Sequence, residues 1–384
     1  MCYFYKVFDI IFGRLVDISQ LCGLGFARRV LAMRCATPSH CCTRCVSLLF
    51  GCRNLLQDSV ACFLRLWSEN KTSMSKITIY QFTDPTCIWC WGNEPMLRAI
   101  DYLYGDKVAV EFIMGGLVED VTTLYDFDGP VSLIIERANA RIAENWHAAS
   151  ARHGMPVTRE YMNLYTERYT SSFPQNVAYE AAKRVDKTKA KLFLRRIREA
   201  TFVENRRTSQ IDVLMELATE SGLDSVQFID QYTYGGAQTD FMQDRMKCRR
   251  NGITGFPSYL IREGATNIIL GGYQNLATMN TIISRLSDGK IKPRRVAPSI
   301  ANVLDFIKQY KRVYPVEIEV AFSLDKARVD LMIEGMCREH RVEKEVAGNG
   351  VCIRLCKARR HGKSLDHATQ GAAQRHNDKI ELGG

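Results

Sequence analysis

The sequence lacks long apolar runs. No stretch of about 18 consecutive apolar residues occurs in its 384 positions, so no transmembrane helix is predicted. The apolar patches near the N-terminus are short, and they do not follow the order of basic, apolar and small residues found in signal peptides. We therefore expect a protein that works in the cytoplasm and does not contact a membrane.

The central part of the chain also lacks a strong excess of positive charge. The whole chain holds 52 Lys/Arg and 42 Asp/Glu, a net charge of +10. Residues 1–73 carry nine Lys/Arg against four Asp/Glu, and residues 357–384 carry six against three, so most of the excess lies at the ends. This distribution argues against a basic groove for nucleic acid, and we do not expect a nucleic-acid partner.

Evenly spaced cysteines, which would indicate a secreted disulfide framework, are missing as well. Eight of the 14 cysteines lie in residues 1–73, where no steady hydrophobic period is present. We predict that this segment is a poorly ordered leader, or an extension from a mis-assigned start upstream of Met74. The alternative is a zinc or redox module built on His40 to Cys45. The polar residues 357–384 are predicted to be a disordered tail.

From Lys76 onward the hydrophobic pattern becomes regular. A buried strand over Ile77–Phe82, a helix over Asn93–Tyr104 and a second strand over Val108–Met114 have the size of a strand–helix–strand unit. A helical block then occupies residues of about 117–235, and a further helix, a hairpin and a last helix follow up to residue 290. Residues 299–356 have the pattern of three helices and a hairpin, which is the outline of a winged helix.

Two cysteines stand at the corner between the first strand and the first helix, in the sequence D-P-T-C-I-W-C-W-G. The unpaired N–H groups of the helix stabilise a thiolate at its mouth, which predicts that Cys87 is the attacking sulfur. Cys90, one turn later, can resolve a mixed disulfide. Pro257, in G-I-T-G-F-P before a predicted strand, is a candidate cis-proline that would present backbone groups to a bound segment.

The order of D-P-T-C-I-W-C-W-G, a helical insertion, G-I-T-G-F-P and a hairpin resembles the DsbA-like branch of the thioredoxin superfamily, over residues of about 76–290. The resemblance implies an α/β, thioredoxin-like fold with a long helical insertion, followed by the small winged-helix-like α+β unit. It also implies a cytoplasmic thiol–disulfide oxidoreductase or isomerase in which Cys87 attacks, Cys90 resolves and Pro257 shapes the groove. Phe256 is then expected to lend its backbone to substrate pairing.

Under this hypothesis the partners are protein or small-molecule disulfides and a cellular thiol reductant or oxidant, with no metal or other cofactor. Ile88 and Trp89 separate the cysteines, in place of the Pro-His pair of the strongly oxidising periplasmic members, which predicts a less oxidising dithiol. Trp89 and Trp91 are assigned to the substrate surface, although either can equally pack against the sheet.

Several alternatives remain open at this stage. Cys42 and Cys45 could join the dithiol in a zinc site, or the dithiol could be a structural disulfide. Asp84 is either a proton relay or a turn residue. Cys248 is expected to be an inert buried thiol, and His147 and His153 are expected to be solvated or capping. Two non-enzymatic functions also remain: an adaptor that presents a partner to a protease, as in some DsbA-like proteins, and a thiol-dependent DNA-binding regulator.

Overall fold

The computed structural model describes residues 76–356. The predictions for residues 1–73 and 357–384, including the zinc alternative at Cys42 and Cys45, lie outside the described residues. Within the described range, no helix is long and apolar enough to cross a membrane.

A four-stranded sheet with the strand order β2-β1-β3-β4 forms the centre of the fold. The central strand β1 pairs in parallel with β2 and antiparallel with β3, and β3 and β4 form the predicted hairpin. Ile77, Ile79 and Phe82 are completely buried, because β1 has a neighbouring strand on each side and helices over the sheet. The strands are β1 (Ile77–Thr83), β2 (Val108–Met114), β3 (Ser258–Glu263) and β4 (Thr266–Gly271).

Two helices follow β1 and connect it to β2. They are α1 (Ile88–Gly92) and α2 (Glu94–Tyr104). Five helices of the insertion come next, namely α3 (Val131–His153), α4 (Phe173–Val185), α5 (Lys187–Phe202), α6 (Ile211–Glu220) and α7 (Ser225–Thr233). Then α8 (Ala237–Arg250) leads back to β3, and α9 (Leu276–Leu286) follows β4. The sheet topology and this order of elements confirm the predicted thioredoxin-like fold with a helical insertion.

Local signals in the sequence explain where the insertion helices begin and end. Asp224 is the N-cap residue of α7, and its side chain accepts hydrogen bonds from the first free N–H groups of that helix. Gly154 ends α3 with a φ of 76°, a left-handed conformation that suits glycine. The core of the insertion is a cluster of alanine, leucine and aromatic side chains from α4 to α8, which packs against β2.

The C-terminal segment contains the three helices and the hairpin that the sequence predicts. The elements are α10 (Ile300–Tyr310), α11 (Pro315–Phe322), α12 (Lys326–Arg338), β5 (Val342–Ala347) and β6 (Gly350–Leu355). Its apolar core includes Ala99 and Tyr102 of α2, so the segment shares a core with the helix that follows the dithiol. Helix α11 packs along α2 and places Glu317 next to the insertion.

Candidate active site

The Asp84 carboxylate fixes the corner between β1 and α1. Its Oδ1 accepts hydrogen bonds from the backbone N–H and the hydroxyl of Thr86, both at 2.7 Å. Its Oδ2 accepts from Leu117 N–H at 2.7 Å, Ser172 Oγ at 2.9 Å and Asn176 Nδ2 at 2.7 Å. The fully buried carboxylate therefore ties the dithiol corner to the end of β2 and to α4, which supports the turn assignment for Asp84.

Cys87 and Cys90 lie together at the start of α1, as predicted. Cys87 is the N-cap residue, and its sulfur accepts a hydrogen bond from Cys90 N–H at 3.2 Å. The Cys87 thiol also donates to the backbone carbonyl of Phe256 at 3.5 Å. Both cysteines are free thiols, and both are buried, Cys87 with 3% of its surface exposed and Cys90 with none.

The Phe256–Pro257 peptide bond is cis, so the predicted cis-proline is confirmed. The Phe256 ring lies over Gly115, just after β2, where an added Cβ would be 1.9 Å from the ring. Only glycine allows this close approach. Pro257 O accepts a hydrogen bond from Gly272 N–H at 2.8 Å, which fixes the loop against the end of β4.

The two tryptophans of α1 occupy different environments. Trp89 is half-buried and makes edge contacts with His153 and Tyr273, at ring-centroid distances of 5.9 and 6.0 Å. Trp91 is completely buried, and its Nε1 donates to Pro156 O at 2.9 Å. The assignment of Trp91 to the substrate surface is wrong, because this ring faces the interior.

Trp91 is held on its inner side by aromatic and charged groups from distant parts of the chain. It stacks on Phe202 of α5 at 5.8 Å and meets the edge of Tyr314 at 5.6 Å. The Arg195 guanidinium lies 4.5 Å from the ring centroid, a cation–π distance. The dithiol helix is thus anchored to both the insertion and the C-terminal segment.

Burial changes the predicted electrostatics of the dithiol. It raises the pKa of the Cys87 thiol well above the ordinary value, and the hydrogen bond to Cys90 raises it further, although Cys90 N–H acts in the opposite direction. Burial also raises the pKa of Cys90, but the hydrogen bond from Cys87 and the Arg198 charge outweigh it, so the pKa of Cys90 is lowered. Burial therefore acts against the predicted thiolate on Cys87, and the role of Cys87 as the attacking sulfur stays a prediction.

A buried ion-pair network lies beneath α1, and the sequence pattern did not predict it. Arg195 of α5 contacts Glu94 of α2 at 3.2 Å and Glu317 of α11 at 3.0 Å. Arg198 also pairs with Glu94, and Arg98 pairs with Glu317 at 2.8 Å. The only signal in the sequence was that Arg195 and Arg198 are three positions apart in a helix whose other face is apolar.

His153 is a second residue whose environment the sequence did not reveal. Its ring lies against α1, where a Cβ on Gly92 would be 2.4 Å from it. Its Nδ1 accepts from Met155 N–H at 3.1 Å, which agrees with the capping alternative, but the ring is buried and not solvated. Burial lowers its pKa to about 4, so His153 is neutral at pH 7.

Cys248 and His147 are the other two residues that the sequence singled out. Cys248 is buried among Phe82, Ile113 and Leu260, and burial raises its pKa to about 11, in agreement with an inert thiol. His147 is exposed. No group of three or more His, Cys, Asp or Glu side chains within residues 76–356 is arranged to hold a metal ion.

Comparison with known proteins gives similarity at three levels. The family model described as Thioredoxin matches residues 80–280, which is more than half of the chain. The ClpXP adapter protein SpxH of Halalkalibacterium halodurans is 24% identical over 282 residues, 72% of this chain and 87% of that protein. SpxH of Bacillus subtilis is 25% identical over 152 residues, 40% of this chain and 47% of that protein.

Among solved structures, the cytosolic disulfide reductase DsbM from Pseudomonas aeruginosa is similar to this chain. It has 23% sequence identity and a TM-score of 0.40, and the match covers 55% of this chain and 93% of that chain. Together with the family match and the sheet topology described above, the site geometry leads to one conclusion. This chain belongs to the thioredoxin family, with a helical insertion between β2 and β3.

Proposed function

We propose that this chain is an adaptor protein, which binds a protein partner at the dithiol corner and presents it to a protease of the ClpXP type in the cytoplasm. Relatives named ClpXP adapter protein SpxH are similar to it, and the alignment with the Halalkalibacterium halodurans protein spans 282 residues. That alignment is longer than the match of the thioredoxin model to residues 80–280. The similarity to the adapter therefore includes residues beyond the thioredoxin domain.

The state of Cys87 is the structural observation that carries this proposal. An attacking sulfur has to be a thiolate, and it has to be reached by the substrate. Cys87 is almost completely buried, and its pKa is raised. A buried sulfur with a raised pKa argues against rapid turnover, and this favours a binding role for the corner over an enzymatic one.

The surface around Cys87 is suited to an extended apolar segment of a partner. Trp89 and Phe256 are half-buried there, and Leu117 and Tyr273 are 42% and 45% exposed. Aromatic side chains that keep part of their surface free contribute much of the binding energy at protein interfaces. The cis Phe256–Pro257 bond borders this surface next to the sulfur.

Two measurements on the full, reduced chain test the adaptor proposal. The first is binding of purified ClpXP to the immobilised chain, and the second is reduction of insulin in the presence of dithiothreitol. We expect ClpXP binding, together with insulin reduction no faster than that of a Cys87→Ser/Cys90→Ser variant. Absence of ClpXP binding, together with insulin reduction that the double variant lacks, would reject the adaptor function.

A thiol–disulfide oxidoreductase is the second candidate. The Cys87 sulfur lies 3.5 Å from the Phe256 carbonyl oxygen, so a substrate segment that pairs with the backbone of this loop would lie beside the sulfur. Cys87, as a thiolate, would attack a substrate disulfide, breaking its S–S bond and releasing one substrate thiol. Cys90 would then displace the other thiol and form the Cys87–Cys90 disulfide, so two electrons pass to the substrate. A cellular thiol would restore the dithiol.

This candidate has its own test. In cell extract, Cys90→Ser is expected to trap mixed disulfides through Cys87, because the resolving thiol is gone. Cys87→Ser is the matched control, since it retains Cys90 but has no attacking sulfur. Equal trapping by the two variants would rule out exchange through Cys87.

A further inference from the structure

The turn of the C-terminal hairpin, between β5 and β6, docks onto the chain just after α3. Asn349 makes three hydrogen bonds there. Its backbone N–H donates to Val157 O at 2.8 Å, and its Oδ1 accepts from Val157 N–H at 2.9 Å. Its Nδ2 donates to Ser150 Oγ at 3.2 Å. Both backbone polar groups of Val157 are therefore paired with one residue of the turn.

Two glycines allow the turn to approach this closely. A Cβ on Gly348 would lie 2.1 Å from Val157 O, and the φ of Gly348 is 55°, in the left-handed region. A Cβ on Gly350 would lie 3.2 Å from Pro156 Cβ. The turn thus packs directly against residues 156 and 157, and a side chain at Gly348 would push it away.

The residues that receive the turn also hold the dithiol helix α1. Pro156 O accepts the hydrogen bond from Trp91 Nε1 at 2.9 Å. The His153 ring packs so closely against α1 that a Cβ on Gly92 would be 2.4 Å from it. Residues 153–157, which we name the bridge segment, therefore contact both the hairpin turn and α1.

A chain of hydrogen bonds connects the turn to His153. The Ser150 hydroxyl accepts from Asn349 Nδ2 and donates to Met155 O at 2.8 Å. Met155 N–H donates to His153 Nδ1 at 3.1 Å. Asn349 is thus linked to α1 by two routes, one through His153 and the other through Pro156.

Helix α1 depends on such contacts because it is short. Its five residues make little more than one turn, which is too few for a helix to be stable by itself. Cys87 is the N-cap residue of α1 and is 3% exposed, so a reagent reaches its sulfur when α1 or the loop facing it moves. A group that restrains α1 therefore limits access to Cys87.

We propose that the turn of the C-terminal hairpin is a latch on the dithiol corner, in which Asn349 is a positioning residue that holds α1 through the bridge segment. Release of the turn loosens α1 and exposes Cys87. The C-terminal segment thereby controls how readily the dithiol meets a partner. This inference goes beyond the proposed function, and it applies whether the corner binds a partner or exchanges disulfides.

The test compares three variants of the full, reduced chain with wild type. Asn349→Ala removes the side-chain hydrogen bonds of the latch, and Gly348→Ala adds a methyl group that collides with Val157 O. Val346→Thr is the matched control, because Val346 lies in the same hairpin, is 84% exposed and is replaced by another β-branched residue. Two rates are followed by mass spectrometry, the hydrogen exchange of the α1 amides and the alkylation of Cys87 at one pH.

In Asn349→Ala we expect both rates to rise about fivefold or more, the effect of losing one hydrogen bond of ordinary strength. Gly348→Ala should raise both rates further, and Val346→Thr should leave them unchanged. Helix α7, whose core lies within the insertion, is the internal reference for a general loss of stability.

Three results would overturn the proposal, even if the hairpin itself exchanges faster. They are α1 exchange equal to wild type in Asn349→Ala, an increase in α1 no larger than that in α7, and Cys87 alkylation that stays at the wild-type rate. A latch that serves only the hairpin would give the first and the third of these. If Gly348→Ala does not fold, Asn349→Ala decides alone, because it introduces no collision.

Discussion

The two sides of the dithiol helix α1 differ in almost every physical respect. On the outer side, Trp89 is half-buried, and Cys87 faces the Phe256 carbonyl across a short loop. On the inner side, Trp91 and Cys90 are completely buried, and Trp91 packs against Phe202 of α5 and Tyr314 of the C-terminal segment. The outer side thus has a partly exposed ring, whereas the inner side holds the dithiol helix in the interior of the fold.

This difference shows that the two-cysteine motif alone does not determine the pKa of its first thiol. The helix N-terminus acts on Cys87 as expected, through the hydrogen bond from Cys90 N–H. Loss of water around the sulfur outweighs that bond, and the pKa rises. Burial of the first sulfur therefore opposes the effect of the helix N-terminus on its pKa.

The largest expected effect comes from breaking the inner ion-pair network. Arg195→Met leaves the buried carboxylates of Glu94, Glu199 and Glu317 without this partner. We expect a loss of about 3–5 kcal/mol in the free energy of unfolding, measured with urea. Arg141→Met is the control, because the Arg141–Glu144 pair is exposed and should contribute at most about 1 kcal/mol. Similar losses in the two variants would show that the buried network stabilises the fold no more than an exposed ion pair does.

A pH effect follows from His153, which packs against Gly92 of the dithiol helix. In the unfolded chain the pKa of His153 returns to about 6.5, whereas in the folded chain its pKa is about 4. The unfolded state thus binds more protons in this window, and stability falls by up to about 3 kcal/mol as the pH drops from 7 to 4.

His153→Asn is the matching variant, since its Oδ1 can still accept from Met155 N–H. Its stability should vary less with pH than that of wild type, measured by urea unfolding at several pH values. The comparison cancels groups common to both proteins, such as Glu180, whose pKa burial raises to about 7. Parallel pH curves for the two proteins would show that His153 is not held neutral by the fold.

A smaller effect separates the two tryptophans of α1. Trp91→Phe removes the hydrogen bond to Pro156 and leaves a cavity next to Phe202, so we expect a loss of about 2 kcal/mol. Trp89→Phe keeps an aromatic ring at a half-buried position and should cost less than about 1 kcal/mol. Thermal unfolding of both variants measures the difference. An equal loss in the two would remove the distinction between the inner and the outer side.

Local features of the sequence predicted the outer side well. The strand-to-helix corner, the position of Cys87 and the cis-proline candidate Pro257 all depend on short stretches with known backbone preferences. The order of these stretches, with a helical block between them, carried the family resemblance that implied the fold. In the structure, Asp224 and Gly154 mark helix ends with residue types that are typical of those positions.

The inner side could not be predicted, because its contacts join residues far apart in the chain. Arg198 and Glu94 are 104 positions apart, and Arg195 and Glu317 are 122 apart. In the sequence these charges have the pattern of a solvated helix face, and Trp91 has no feature that distinguishes it from Trp89. The burial of Cys87, which reversed the expected direction of its pKa, is likewise a result of tertiary packing.

The most direct test of the account is the ionisation of Cys87 itself. The full, reduced chain is treated with a small alkylating reagent over a range of pH, and the labelling rate of Cys87 is followed by peptide-resolved mass spectrometry. The same cysteine in the urea-unfolded chain gives the reference midpoint. The account predicts a higher midpoint in the folded chain than in the unfolded chain. A lower midpoint in the folded chain would contradict it, and would restore Cys87 as an activated nucleophile.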